Sequence, residues 1–290
     1  MMLRLGIRFH DTAELPFEER VKAAEGQGFS CVHIALSKIK DIPSDISALT
    51  SGYANYLKGC FDKAGLSVAV LGNYLNLCDP DPDRLSGILK KYEAHIRFAS
   101  YLRAGVVGTE TGAPNSSYDC SDREAVRSES AYVSFRENVK KVIGYAQHYG
   151  VTFAIEPVYK HIIYSPERAR RLLDEVASEN LRIIFDPVNL LDPDRLEERD
   201  EVLQKAMELL SEEIAVIHLK DFIPEKREDG SINMKPCGCG LGAMTYDDII
   251  EFAVRKKPFI EATLENTTPD DATQCRNHIE EIIRKCENAG

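Results

Sequence analysis

The chain has 290 residues, 43% of them hydrophobic and 29% charged, the balance of an ordinary globular protein near the upper size that one hydrophobic core supports. Its 36 Lys and Arg face 47 Asp and Glu, a formal charge of −11, which argues against nucleic acid and anionic membranes as partners. No apolar run approaches the ~20 residues that span a bilayer, "MMLRLGIRFHD" has neither the apolar stretch nor the cleavage site of a secretion signal, and eight cysteines scattered through so long a chain predict reduced thiols in the cytoplasm.

The opening "LRLGIRF" reads as a strand, with His10 just past its end. Residues 16–27 read as a helix, because Pro16 suits a first turn and Glu18 and Glu19 sit at the positive end of the dipole. One shape then recurs. A helix-like stretch ends in Gly, Asn or a charged pair and is followed by a short apolar run, in "AAEGQGFSCVHIAL", "FDKAGLSVAVLG", "YLRAGVVGTE", "AQHYGVTFAIE", "ASENLRIIFD", "SEEIAVIHLKD" and "RKKPFIEATLE". Glycine supplies the left-handed helix cap, and the apolar runs read as buried strands. His33, inside "CVHIAL", reads as core packing. The last segment places Ala272, Cys275, Ile279, Ile282, Ile283 and Cys286 on one helical face.

Eight strands, mostly continuous in hydrophobicity and alternating with helices, predict a parallel β/α organisation, and eight is the number that closes a barrel. An open doubly wound sheet would show a Gly-rich turn after the first strand, and "IRFHDTAELP" has none. Without a linker to divide the chain, we expect a single (β/α)8 TIM barrel domain over residues 1–290. Two long loops, 111–130 and 222–243, are expected over its C-terminal mouth. Within the second, "CGCG" at 237–240 lacks the second pair of a zinc site and reads as a glycine-rich loop.

Four successive strand ends carry the chemistry. "VTFAIEP" ends on Glu156, "RIIFDP" on Asp186, "AVIHLKD" bears His218, and "PFIEATLEN" ends on Glu265. In a parallel barrel all strand C-termini face one mouth, so these side chains converge although 30 to 47 residues separate them. Three carboxylates together repel one another unless a cation lies between them. One imidazole with three carboxylates suits a single Mn²⁺, Mg²⁺ or Co²⁺, with Zn²⁺ also compatible. Taken singly, Asp186 is an Asx-turn residue and His218 a core histidine; their matched positions favour metal. On the last strand Glu261 shares parity with Glu265, and we prefer Glu265 for its place at the strand end.

These motifs, "AIEP", "FDPVNLL", "HLKD" and "TLEN", in this order and spacing and with "TETG" at 109–112, resemble the xylose isomerase-like TIM-barrel superfamily, specifically its sugar phosphate isomerase/epimerase group. The resemblance covers essentially the whole chain. It implies a barrel binding one divalent ion through Glu156, Asp186, His218 and Glu265, with Glu156 and Glu265 as acid and base on opposite sides of a small sugar or sugar phosphate. Proton removal beside a polarised carbonyl gives an ene-diolate, and return of the proton gives an epimer or an isomer. His161, Asn189, Lys220 and His10 are candidate substrate-binding residues. Dehydration of a keto-sugar or keto-inositol starts from the same enolisation. An endonuclease-like phosphodiesterase fits less well, because Asn189 stands where those members carry a histidine, and a barrel that binds sugar without turnover is the third alternative. Barrels of this size also occur as homo-oligomers.

Overall fold

The structure, a computed structural model, describes residues 3–288. Eight parallel strands form a closed barrel: β1 (Arg4–Arg8), β2 (Cys31–Ile34), β3 (Ser67–Gly72), β4 (Val106–Glu110), β5 (Phe153–Glu156), β6 (Leu181–Phe185), β7 (Ile214–Leu219) and, after an intervening hairpin, β10 (Glu261–Leu264). The last strand pairs with the first, Arg4 opposite Glu261 and Ile7 opposite Leu264, so the sheet has no free edge. All eight are the runs expected from the sequence.

The helices are set by local chemistry. α1 (Phe17–Gly26) starts after Pro16. α3 (Pro82–Leu102) is capped by Asp81, whose carboxylate accepts from the Asp83 and Arg84 amides. α5 (Glu129–Tyr149) is capped by Ser128 and ends at Gly150, whose φ of 64° is the left-handed stop expected there. In α9 (Ala272–Asn288) the predicted stripe is buried from Ala272 to Ile283.

Two cores result. The larger lies between strands and helices. The smaller fills the barrel axis with Cys31, Ala69, Val70, Val106, Ala154, Ile184 and Val216. Gly108 completes that inner packing, since a Cβ there would meet Ile184 Cδ1 at 2.7 Å and Val70 Cγ1 at 2.8 Å. The axis is therefore a solid plug, and the C-terminal mouth above it is a closed cup rather than a pore.

Both long segments carry structure of their own. The first contains a short helix, α4 (Arg123–Arg127). The second is an antiparallel hairpin, β8 (Asp221–Lys226) with β9 (Ile232–Cys237), followed by the glycine-rich turn. Asp221 ties this insert to the barrel: fully buried, its carboxylate accepts from the backbone N–H groups of Phe222, Gly240, Gly242 and Met244 at 2.8–3.2 Å. The four amides compensate the buried charge.

Candidate metal and acid–base site

Strand register brings the expected residues together. Phe185 pairs with Ile217, which sets Asp186 level with His218, and Thr263 pairs with His218, which sets Glu265 just above it. His218 Nδ1 lies 3.3 Å from Glu156 Oε2, 3.3 Å from Glu265 Oε1 and 3.8 Å from Asp186 Oδ2. All four side chains are buried. Glu261, by contrast, lies at the opposite end of β10, paired with Arg4 at 3.0 Å and bonded to Ser67.

Each ligand candidate is held by a neighbour. Asp186 Oδ1 accepts from the Asn189 amide at 3.0 Å, the Asx turn read from the sequence, and this leaves Oδ2 turned to His218 and to Lys220 Nζ at 2.6 Å. The side-chain amide of Asn189 donates to Glu156 Oε1, leaving Oε2 for the centre. Glu265 divides the same way. Its Oε2 receives Arg8 Nη1 at 3.1 Å while Oε1 faces His218 and His33. Arg8 is itself aimed by Asp11 and by Asn266 Oδ1 at 2.7 Å.

Electrostatics follow from this crowding. Burial pushes Glu156 up, but His218 and Lys220 outweigh it and hold it at about 2. Glu265 is likewise driven well below the usual carboxylate range, against burial, by His218, His33, Lys220 and Arg8. Asp186 goes the other way, to about 6, because its burial and the charges of Glu156 and Glu265 exceed the pull of Lys220. His218 rises to about 9, the carboxylates overcoming its burial.

Although fully buried, neither ring nitrogen of His218 makes a hydrogen bond of good geometry. An imidazole nitrogen facing carboxylates is a donor for a hard or borderline divalent cation, and His218 is shared by two groups whose ligand atoms lie within 4.8 Å of one another, Glu156 with Asp186 and His218, and Glu265 with His33 and His218. The residues fit such an ion.

A family model described as "Xylose isomerase-like TIM barrel" matches residues 21–285. The chain belongs to this family. No curated protein matches it in sequence. Among solved structures it is similar to a D-tagatose 3-epimerase-like protein (14% identity, 99% of both chains, TM-score 0.74). It is also similar to D-psicose 3-epimerase with D-tagatose from Clostridium cellulolyticum H10 (14%, 97% of this chain and 99% of that one, TM-score 0.72). A third is a xylose isomerase-like TIM barrel protein from Mycobacterium smegmatis in complex with magnesium (15%, 97% and 94%, TM-score 0.71). At these identities the likeness establishes the fold.

Other side chains of this xylose isomerase-like barrel gather around the same centre. His161 is buried, 3.8 Å from Glu110 Oε2 and edge-on to Tyr118, so it belongs to the mouth rather than the surface; burial and Lys160 lower it to about 4. His10 sits in the turn after β1, its ring 6.5 Å from His33, lowered to about 4 by burial and Arg8. His33 is not simple core packing. It stacks on His218 at 5.0 Å, meets Glu265 Oε1 at 3.0 Å through Nδ1, and meets the Tyr74 hydroxyl at 2.7 Å through Nε2. Sequence reasoning missed Arg8, His33, Tyr74 and Glu110 as site residues. Glu110 pairs with Glu156 in register and is pushed to about 7 by burial and by that neighbour's charge. Its position at the end of "VVGTE", matching that of Glu156 in "FAIE", was the signal available.

Proposed function

We propose that this barrel is a divalent-metal-dependent isomerase or epimerase of a small sugar or sugar phosphate. Glu156, Asp186, His218 and Glu265 would hold the ion, with Glu156 and Glu265 as acid and base. The observation that carries the reading is the buried Nδ1 of His218, which faces three carboxylates without a hydrogen bond of good geometry to any of them. The similar solved structures, named as D-psicose 3-epimerase, as a D-tagatose 3-epimerase-like protein and as a barrel in complex with magnesium, support it.

When bound, the ion supplies Lewis acidity, polarising a ketose carbonyl and acidifying the neighbouring C–H. The two glutamates differ in their other partners, Glu156 meeting a neutral amide and Glu265 a guanidinium. Glu156 is therefore the stronger base and removes the proton, leaving an ene-diolate. Glu265 serves the opposite face. One tautomer of His33 satisfies its neighbours: the Tyr74 hydroxyl donates to Nε2, and Nδ1–H donates to Glu265. That chain fixes the His33 tautomer and holds Glu265 Oε1 in place at the centre. Lys220, 2.6 Å from Asp186 and 3.6 Å from Glu265, offsets the surplus of negative charge as the substrate enolises.

The test is proton exchange. Mn²⁺-loaded protein incubated with a panel of ketoses and ketose phosphates in D₂O is expected to place deuterium on the carbon beside the carbonyl of one of them. Absence of exchange across the panel overturns the reading, and loss of water following exchange would assign a dehydratase instead.

A further inference from the structure

A cavity of about 550 Å³, within the range of small-molecule sites, is lined by Asn189 and Lys220, whose side chains bond Glu156 and Asp186, and so adjoins the carboxylate cluster. Four cationic side chains line it, Arg123, Lys160, Lys220 and Arg227, against two acids, Asp194 and Asp221. In a chain of net charge −11 this is a local reversal of sign.

Most of these charges are already committed. Asp221 is spent on four backbone amides, and Lys220 belongs to the floor through Asp186. Arg123 grips Asp192 with two nitrogens, at 2.7 and 3.2 Å, and reaches Asp194 at 3.3 Å, which neutralises the remaining acid. Lys160 and Arg227 are left. Both are exposed, both line the cavity, and neither makes an ion pair among the described residues.

Their placement is defined by the chain. Lys160 is next to the buried His161, on a segment fixed by the Tyr159 amide donating to the Asn189 carbonyl at 2.7 Å. Arg227 is at the tip of the β8–β9 hairpin, whose turn is closed by its N–H on the Ser231 carbonyl at 2.8 Å; its guanidinium is steadied by Asn233 Oδ1 at 3.1 Å. The cavity therefore has a basic rim and, where Asn189 and Lys220 line it, a floor that adjoins the carboxylate cluster. The acids these cations act on, Glu110 for Lys160 and Asp229 for Arg227, stand outside ion-pair distance, so an anion at the rim gains both cations, whereas an anionic tail pointing down would meet the carboxylates.

We propose that the substrate is an anionic sugar derivative, its phosphate or carboxylate group received at the rim by Lys160 and Arg227 while its carbonyl end lies on the floor. This rests on the proposed function for the floor only; the rim is an anion site whatever chemistry proceeds beneath it. Direct binding separates the two. Calorimetric titration of the full-length protein at low ionic strength is made with glycerol phosphate, with glycerate, and with glycerol as the neutral control. The double variant K160A/R227A is titrated alongside. Both positions are exposed, so the variant is expected to fold, and circular dichroism checks that it does.

At least one anion is expected to bind the native protein and to bind the variant at least tenfold more weakly, while glycerol binds neither. Glycerol phosphate alone would assign a phosphate ester, and glycerate alone a carboxylate. Equal binding to both proteins, or no binding of either anion, overturns the rim site and leaves the proposed enolisation standing. If D₂O exchange identifies an anionic ketose, the variant should raise its KM at least tenfold with kcat within twofold, the mark of binding energy expressed equally in ground and transition states. Exchange confined to uncharged ketoses would also overturn the inference.

Discussion

The strand pair β1 and β10 carries the same ion pair twice, once at each end of the barrel. At the N-terminal end Arg4 meets Glu261 at 3.0 Å, and at the C-terminal end Arg8 meets Glu265 at 3.1 Å. The lower arginine is 41% exposed, and its glutamate has Ser67 as a further partner. The upper pair is more enclosed, and its glutamate also faces His33, His218 and Lys220, close to Asp186 and Glu156. One pair closes a barrel. The other is drawn into an unbalanced cluster of acids whose natural complement is a cation, so residue type and spacing alone do not separate structure from function here; the neighbours do.

Substitution at the two glutamates gives the largest expected contrast. E265Q should lower the rate of substrate proton exchange by about 10³-fold, within the 10²–10⁴ of general acid–base catalysis. E261Q should leave it within about twofold and cost less than ~1 kcal/mol of stability by denaturant unfolding. Next in size is N189A, which frees Glu156 from its amide partner and should weaken Mn²⁺ binding about 10–100-fold in a metal titration, with no counterpart at the lower end.

Metal removal sharpens the comparison further. An ion at about 100 times its Kd adds about 2.7 kcal/mol, so chelation should lower Tm by about 5–10 °C at the 2–4 °C per kcal/mol of a chain this long. E261Q should show the same drop and H218A none, by scanning calorimetry. A smaller effect comes from pH. Burial and the charge of Glu156 raise Glu110 to about 7, so the folded state holds that proton more tightly than the unfolded chain. The resulting stability is full below the unfolded value near 4.5 and is lost as pH rises through about 7. The Tm of the metal-free protein should therefore fall relative to that of E110Q from pH 5 to 7, while the buried His10 and His161, lowered to about 4, push the Tm of both proteins up over the same range. Smallest of all, Phe259, 73% exposed with φ of 68° near the lower end, is a strained non-glycine residue, and F259G should gain up to about 1 kcal/mol without touching exchange.

The barrel was legible because each strand is a short apolar run behind a helix stop, and the four ligand candidates because acids at strand ends interrupt those runs. The hairpin was not legible: in "DFIPEKREDGSINMKPC" most positions are exposed, so alternation is faint, although Asp229-Gly230 is a turn signal. Arg8 and His33 escaped for a different reason. Arg8 sits in a strand that reads as ordinary, and His33 in one with no polar break; only the closing of β1 onto β10 brings either to Glu265. Glu261 and Glu265, equal in parity, are told apart by height along the barrel, which the register supplies.

The carboxylate of Asp221 acts as the joint between the barrel and its insert. By clamping the stretch that follows the hairpin to the end of β7, it ties both ends of residues 223–236 to one point of the barrel. Gly242 guards the clamp, since a Cβ there would meet the Phe222 carbonyl at 2.3 Å. A different hairpin grafted at this joint is expected to leave Glu156, Asp186, His218 and Glu265 where they are.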